Sequence, residues 1–359
     1  MDSFTRNINQ LFNIEPKNLD EVKNGHVVIQ KCFACQFRER DDITSVSFDG
    51  IVEDTDSLKG MFAGCENLVI IPPITLHRVK SGINMFASCI NLETMIIDFN
   101  NLMYAYGMFS NCFKLELFHA RDLSKLIDAR EMFEYCFNLR CAILGPLQQL
   151  ESAECMFAGC ESLVSVDINS LHQLLYANSM FDGCKSLTTI NLGSLQRLES
   201  AECMFANCLS LVGVNIGDLS SLKSAHFMLA GCTSLVSIDL GPLPKLVEAH
   251  RMFNCCSSLV EVNISDLSSL EHADFMFAGC ESLQVVNIQK LESLMNTSWM
   301  FTGCKSLQTI KFDPTPHLKT TGCMFEDCSS LVEVKFEYLP KSAISSTMFP
   351  HSPSLRVIY

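Results

Sequence analysis

The dipeptide Met-Phe returns along this chain at a fixed interval, and that interval restricts the possible folds more than any other feature. Met stands at 61, 85, 108, 132, 156, 180, 204, 252, 276, 300, 324 and 348, and Met228-Leu229 fills the one remaining place. Every step is 24 residues except one of 23. Four residues after each Met comes a Cys, from Cys65 to Cys328, and only Ser352 in the last unit breaks that column. Three residues further on comes a Leu in all thirteen units, Leu68 to Leu355. Such a period marks a solenoid: one unit cannot bury its apolar face alone, and its neighbours complete the core. The 359 residues therefore need not divide into two or three globular domains.

The unit 153–176 shows what each repeat spends its residues on. Ala153, Met156, Phe157 and Cys160 stand at i, i+3, i+4 and i+7, the spacing of one face of a short helix. Gly159 precedes the Cys, in a column that is Gly in six units and Asn in two, which fits a helix ending with positive φ. Leu163, Val166 and Ile168 have the spacing of a short strand whose alternate side chains point inward. Leu171 and Leu174 return the chain to Ala177. The expected fold class is α/β, with parallel strands along one side of the solenoid and short helices along the other. Coils stacked at about 4.8 Å apiece, some fourteen of them, would span on the order of 65 Å.

The motif Met-Phe-x-x-Cys-x-x-Leu-x-x-Val-x-Ile resembles the BspA-like leucine-rich repeats of bacteria and protists, and the related repeats of mycoplasma-type surface proteins. The resemblance covers residues 61–359. It implies a right-handed solenoid with strands on the concave face and helices on the convex side. Members of that family are mostly described as adhesins or surface antigens, many of them exported, and the family brings no catalytic motif. This sequence departs from them in its start, Met1 to Asp20, which lacks the apolar core of a signal peptide. No apolar run reaches the eighteen or so residues of a membrane helix. The location expected from the sequence is cytoplasmic, with the cell surface as the alternative, and nineteen cysteines without an export signal point to reduced thiols.

Residues 1–60 lack the motif and are expected to form an N-terminal cap. In it, Ile8, Leu11 and Phe12 have helical spacing, His26 to Gln30 reads as a strand, and a degenerate first coil starts near Ile43, Val46 and Phe48. Thirteen repeats fill 61–359, and the last stops at Ser354–Tyr359 midway through a coil, an end suited to self-association.

Charge narrows the partners. The net charge is −14, and residues 61–289 carry 23 acids against 12 bases, while residues 290–359 carry 6 against 7. Nucleic acid needs clustered Lys and Arg, so no nucleic acid is expected, nor membrane insertion. A protein partner, basic in character, fits better.

Three columns are candidate sites. The residue between the inward strand positions reads Asp167, Asn191, Asn215, Asp239, Asn263, Asn287, Lys311 and Lys335, flanked by Thr189, Glu261, Thr309 and Glu333. This outward stripe could hydrogen-bond a partner, or its amides could simply bond one another along the stack. Before each Met lies a second column, Phe227, Arg251, Phe275 and Trp299, the residue types of interface anchors; the plain reading is that they cover the core. Next to it stand Glu202, His226, His250 and Asp274, with His272 nearby. Imidazole and carboxylate ligate zinc, yet a solvated polar stripe is the commoner arrangement, and no metal or cofactor is assigned. The Cys column reads as small buried hydrophobes, and the single Cys32-x-x-Cys35 as weak evidence for zinc.

No Gly-rich phosphate loop and no Gly-x-Ser-x-Gly occurs. Asp167 and Asp239, three coils and about 14 Å apart, are too distant for a glycosidase pair. The chain is read as a non-catalytic scaffold for protein interaction, with a surface adhesin and a metal-dependent module as the alternatives.

Overall fold

The computed structural model describes residues 22–29, 32, 34–48, 55–169, 171–350 and 355–358. Among them lie fifteen parallel strands of three to six residues, from His26–Ile29 to Arg356–Ile358. Each strand pairs with its counterpart one repeat away, so that Asp239 faces Asn263 and Asn263 faces Asn287. The chain is a β-solenoid of stacked coils.

The inward columns are buried as the spacing requires. Ala153, Met156, Phe157, Cys160, Leu163 and Leu174 are inaccessible to solvent, and Ile168 and Leu171 nearly so. One apolar core runs unbroken from Val27 to Met348. Within it the Phe of each Met-Phe pair stacks on the next, with ring centroids 5.3–5.5 Å apart from Phe37 through Phe205. Leu229 interrupts the stack, and it resumes from Phe253 to Phe349. The Cys column is inert by position. Each of its twelve thiols donates to the carbonyl of the Phe position one coil earlier, or of Leu229 in one case, as in Cys160 Sγ to Phe133 O at 3.1 Å. Burial raises the Cys65 thiol to about 12 and those of Cys89, Cys136, Cys184 and Cys304 well above their ordinary value, and none of the nineteen cysteines is in a disulfide.

The short helices expected over the Met-Phe segments are absent; these segments are chains of tight turns. Met156, Ala158 and Cys160 donate to carbonyls three residues back, at 3.0–3.1 Å. Cys155, Phe157 and Gly159 instead donate to Asn178, Met180 and Asp182 of the next coil, at 2.7–2.9 Å. Alternate N–H groups thus point along the stack, which an α-helix, with every N–H directed back along its own axis, does not permit. Two residues per segment have positive φ, Cys155 at 54° and Gly159 at 73°. Each is the third residue of a hydrogen-bonded four-residue turn, the geometry of type II. The glycine column serves a turn and not a helix end.

The same turn pattern extends into the N-terminal region. Phe37 is buried and stacks on Phe62 at 5.4 Å, and Cys35, Phe37 and Glu39 donate to Lys59, Met61 and Ala63 of the next coil. Cys35 and Glu39 have φ of 56° and 58°. A coil therefore begins near Cys35, with Gln36 in the place of Met and Arg40 in the place of Cys, and the strand Ser45–Phe48 belongs to it. The strand His26–Ile29 pairs with that strand. The helical spacing of Ile8, Leu11 and Phe12 lies outside the described residues.

Candidate interaction site

The outward strand column stands where alternation puts it. Asp167, Asn191, Asn215, Asp239, Asn287, Lys311 and Lys335 are exposed and Asn263 is half-buried, while the residues on either side of each turn into the core. A continuous ladder of amides does not form. Asn287 Nδ2 donates to Asn263 Oδ1 at 2.6 Å, and Asn263 Nδ2 to Glu261 Oε1 at 3.2 Å. Asn191 and Asp239 turn instead to their own coils, accepting from the N–H groups of Gly193 and Gly241. The stripe ends in a groove of about 700 Å³ lined by Val285, Asn287, Thr309, Lys311, Glu333 and Lys335. There the sheet ladder is interrupted between the strands Val285–Ile288 and Thr309–Phe312. Lys311 Nζ reaches Glu337 Oε1 at 2.6 Å, a contact that holds the Glu337 carboxyl below its ordinary range. Thr189 is exposed and Glu261 half-buried on the flank.

Beside this stripe lies a row the sequence reading missed. Val164, Val212, Val236 and Val332, each following the repeat Leu, are 48–55% exposed. The signal was available as a recurring Val in the first position after that Leu. These side chains put an apolar edge along a polar face, the mixture from which protein contacts are made.

The second column is assembled as well. Arg251 lies between two rings, with Cζ 5.4 Å from the Phe227 centroid and 4.6 Å from that of Phe275. Phe275 in turn stacks on Trp299 at 5.0 Å and 5°. The four residues therefore meet one another across four coils. Phe227 and Phe275 are half-buried, and Arg251 and Trp299 are exposed. Each has φ between 53° and 57° and occupies the third position of its turn.

One residue away, the third column gathers more tightly than its spacing suggested. His226 stacks on His250 at 5.0 Å, and His250 on His272 at 5.5 Å. Asp274 Oδ2 lies 3.3 Å from His250 Nδ1. Glu248, which the sequence reading did not single out, comes within 3.3 Å of His250 Nε2 and 3.8 Å of His226 Nε2. Burial lowers the His250 pKa and favours the neutral ring. Glu202 lies apart, accepting from Ser224 Oγ at 2.8 Å. At the other end of the molecule, Cys32 and Cys35 are both buried.

Comparison with known proteins places the repeat. Residues 34–140, 130–246 and 232–356 match the model of the BspA type leucine rich repeat region, in six copies. No curated protein sequence matches the chain. Among solved structures it is similar to a leucine-rich repeat protein from Bacteroides ovatus, with 19% identity over 92% of this chain and 100% of that one, at a TM-score of 0.42. It is similar also to a leucine rich cell surface protein from Faecalibacterium prausnitzii, with 16% identity over 94% and 87% at 0.39. The pneumococcal vaccine antigen PcpA gives 14% identity over 94% and 89% at 0.36. Among the described residues no helix is long and apolar enough to cross a membrane.

Proposed function

The chain belongs to the BspA-type leucine-rich-repeat family, and we propose that it is a non-catalytic scaffold holding a protein partner against its strand face. The observation that carries this is the stripe from Asp167 to Lys335, one outward strand residue in each of eight successive coils, with an exposed Val row beside it. A flat array of this kind offers hydrogen bonds at about 4.8 Å intervals, a spacing an extended or repetitive partner can follow. The acidic residues of coils 61–289 favour a basic partner through long-range attraction, and nucleic acid and lipid bilayers are disfavoured on the same ground. Asn191, Asn215 and Asp239 are the central contacts, and Lys311 and Lys335 accept an acidic element at the far end. The column Phe227, Arg251, Phe275 and Trp299 is the rival surface. Self-association through the strand Arg356–Ile358 predicts a sedimentation coefficient that rises with concentration.

Two triple variants test the assignment. Asn191→Ala, Asn215→Ala and Asp239→Ala together should abolish capture of a partner purified from the native cell. Phe227→Ala, Phe275→Ala and Trp299→Ala should leave that capture intact. The opposite pattern would move the site to the aromatic column.

The Cys column favours a reducing compartment, since a thiol donates a hydrogen bond only while reduced. A second reading displays the same face outside the cell, and membership of the BspA-type family favours it. Labelling of intact cells with an impermeant amine reagent separates the two: modification of the exposed Lys311 and Lys335 would place the protein outside.

A further inference from the structure

His226, Glu248, His250, His272 and Asp274 converge from three successive coils onto one half-buried patch. Two adjacent columns supply them, and the parallel pairing of Ser224 with Glu248 and of Glu248 with His272 brings those columns level. We propose that His226 Nε2, Glu248 Oε2 and His250 Nε2 bind one divalent cation of the zinc class.

The distances suit such an ion. Glu248 Oε2 lies 3.3 Å from His250 Nε2 and 3.8 Å from His226 Nε2, and one ligand atom from each residue falls within 4.8 Å of the others. Around zinc, with bonds of about 2.0–2.1 Å, the ligand atoms of a tetrahedron stand about 3.3 Å apart. A ring nitrogen offers its lone pair in the ring plane, so the two imidazoles, 4° from parallel, tilt toward each other when the ion enters. Rotation about χ2 is soft for such a ring, and all three side chains are about one-third exposed, which leaves the space.

The surroundings already hold the donors in the form a metal needs. Asp274 Oδ2 stands 3.3 Å from His250 Nδ1, and Asp274 Oδ1 accepts the Ser298 N–H at 3.0 Å. A proton kept on His250 Nδ1 leaves the Nε2 lone pair directed at Glu248, the carboxylate–histidine–metal arrangement. A second chain of contacts fixes the neighbouring His272 ring. Thr320 Oγ1 donates to Asn296 Oδ1 at 3.0 Å, and Asn296 Nδ2 lies 2.7 Å from His272 Nδ1. His272 therefore carries its proton on Nε2, which faces Glu248 Oε1 at 3.9 Å. These assignments favour His226, Glu248 and His250 over the other triad, His250, His272 and Asp274, in which His272 Nδ1 is already engaged by Asn296. Three protein ligands leave a fourth position for water or for a carboxylate or imidazole of a partner. The buried Cys column does not compete, because its protons are committed to carbonyls.

The test uses the full chain, stripped with chelator and kept reduced with a phosphine, and titrated calorimetrically with Zn²⁺. One equivalent should bind. Glu248→Gln, and separately the double variant His226→Ala with His250→Ala, should lose it. Asp274→Asn should weaken it about 10–100-fold, as loss of an orienting partner does. Co²⁺ should give a tetrahedral visible spectrum without the sulfur charge-transfer band that thiolate ligation produces, and Cys255→Ser should leave that spectrum unchanged. Circular dichroism of the metal-free variants should match the parent, so that lost binding is not lost folding. Absence of a one-to-one heat, undiminished binding in the double histidine variant, or a sulfur charge-transfer band would overturn the site.

Discussion

Leu211 and Asn215 stand four residues apart in one coil and face opposite ways: Leu211 is inaccessible to solvent and Asn215 is exposed. Leu211→Ala should cost about 2–5 kcal/mol, the usual range for a cavity in a packed core. Asn215→Ala should stay within about 0.5 kcal/mol. Denaturant unfolding of the two checks the pair, and equal losses would contradict the inward and outward assignment. The outward place of Asn215, between the inward Val214 and Ile216, was legible because burial along a strand follows a period of two, whereas Leu211 precedes the strand and was legible from its repeat column. The backbone of the turns was half legible. Gly159 announced its positive φ, whereas Cys155, Phe227, Arg251, Phe275 and Trp299 adopt the same region without a glycine to mark it. At Gly159 a Cβ would fall 2.7 Å from Tyr135 Cδ1, but at Gly183 no atom comes nearer than 3.7 Å. Both Gly→Ala variants pay the left-handed cost of about 1–2 kcal/mol, and Gly159→Ala should lose more in thermal unfolding. Glu134 was invisible in the sequence. Burial, and then the neighbouring Glu131, raise its carboxyl from 4.5 to about 7. A raised acid favours the folded state fully below its ordinary pKa, and that contribution is lost as pH rises through about 7. Stability should therefore fall between pH 5 and pH 8 by more in the parent than in Glu134→Gln, as melting curves at the two pH values will register.

At the level of the element, the i, i+3, i+4, i+7 spacing of Ala153, Met156, Phe157 and Cys160 described burial correctly and conformation incorrectly. A run of type II and intervening turns presents its apolar residues to one side as a helix does, so the pattern alone cannot separate them. What separates them is hydrogen bonding. Half of the N–H groups reach the next coil, and eight residues are too few to sustain a helix without that help. The coil at Cys35 escaped notice for a related reason. Its Met and Cys are replaced by Gln36 and Arg40, while Phe37, Ile43, Val46 and Phe48 keep their places. The stacked Phe row is therefore the more faithful marker of a coil. Its one gap, Leu229 between Phe205 and Phe253, gives an element-scale prediction. Leu229→Phe should be neutral or raise stability by up to about 1.5 kcal/mol, the worth of a stacked aromatic pair beyond its burial. A loss of about 1–3 kcal/mol in chemical unfolding would show that this coil has repacked around the smaller side chain.

For the molecule as a whole, each coil draws its core from its neighbours, and the outward strand residue recurs once per coil from Asp167 to Lys335, paired in register within each stretch of sheet, as at Asp239–Asn263 and Lys311–Lys335. The family and the stack were legible from the thirteen Met-Phe units. The candidate sites were legible as columns, yet only the fold shows what each column does with its neighbours. Arg251 closes on two rings, Asn191 folds back onto its own turn, and Glu248 leaves its column to meet two histidines. The rival surfaces lie on different sides of the same coils, so placement of a photoreactive residue can decide between them. A benzophenone amino acid installed at Asn215, and in a separate protein at Arg251, should be irradiated in the native cell and its adducts compared. Contact through the strand face predicts a discrete protein adduct from position 215 that disappears with Asn191→Ala and Asp239→Ala, and none from position 251. An adduct from 251 alone would contradict it.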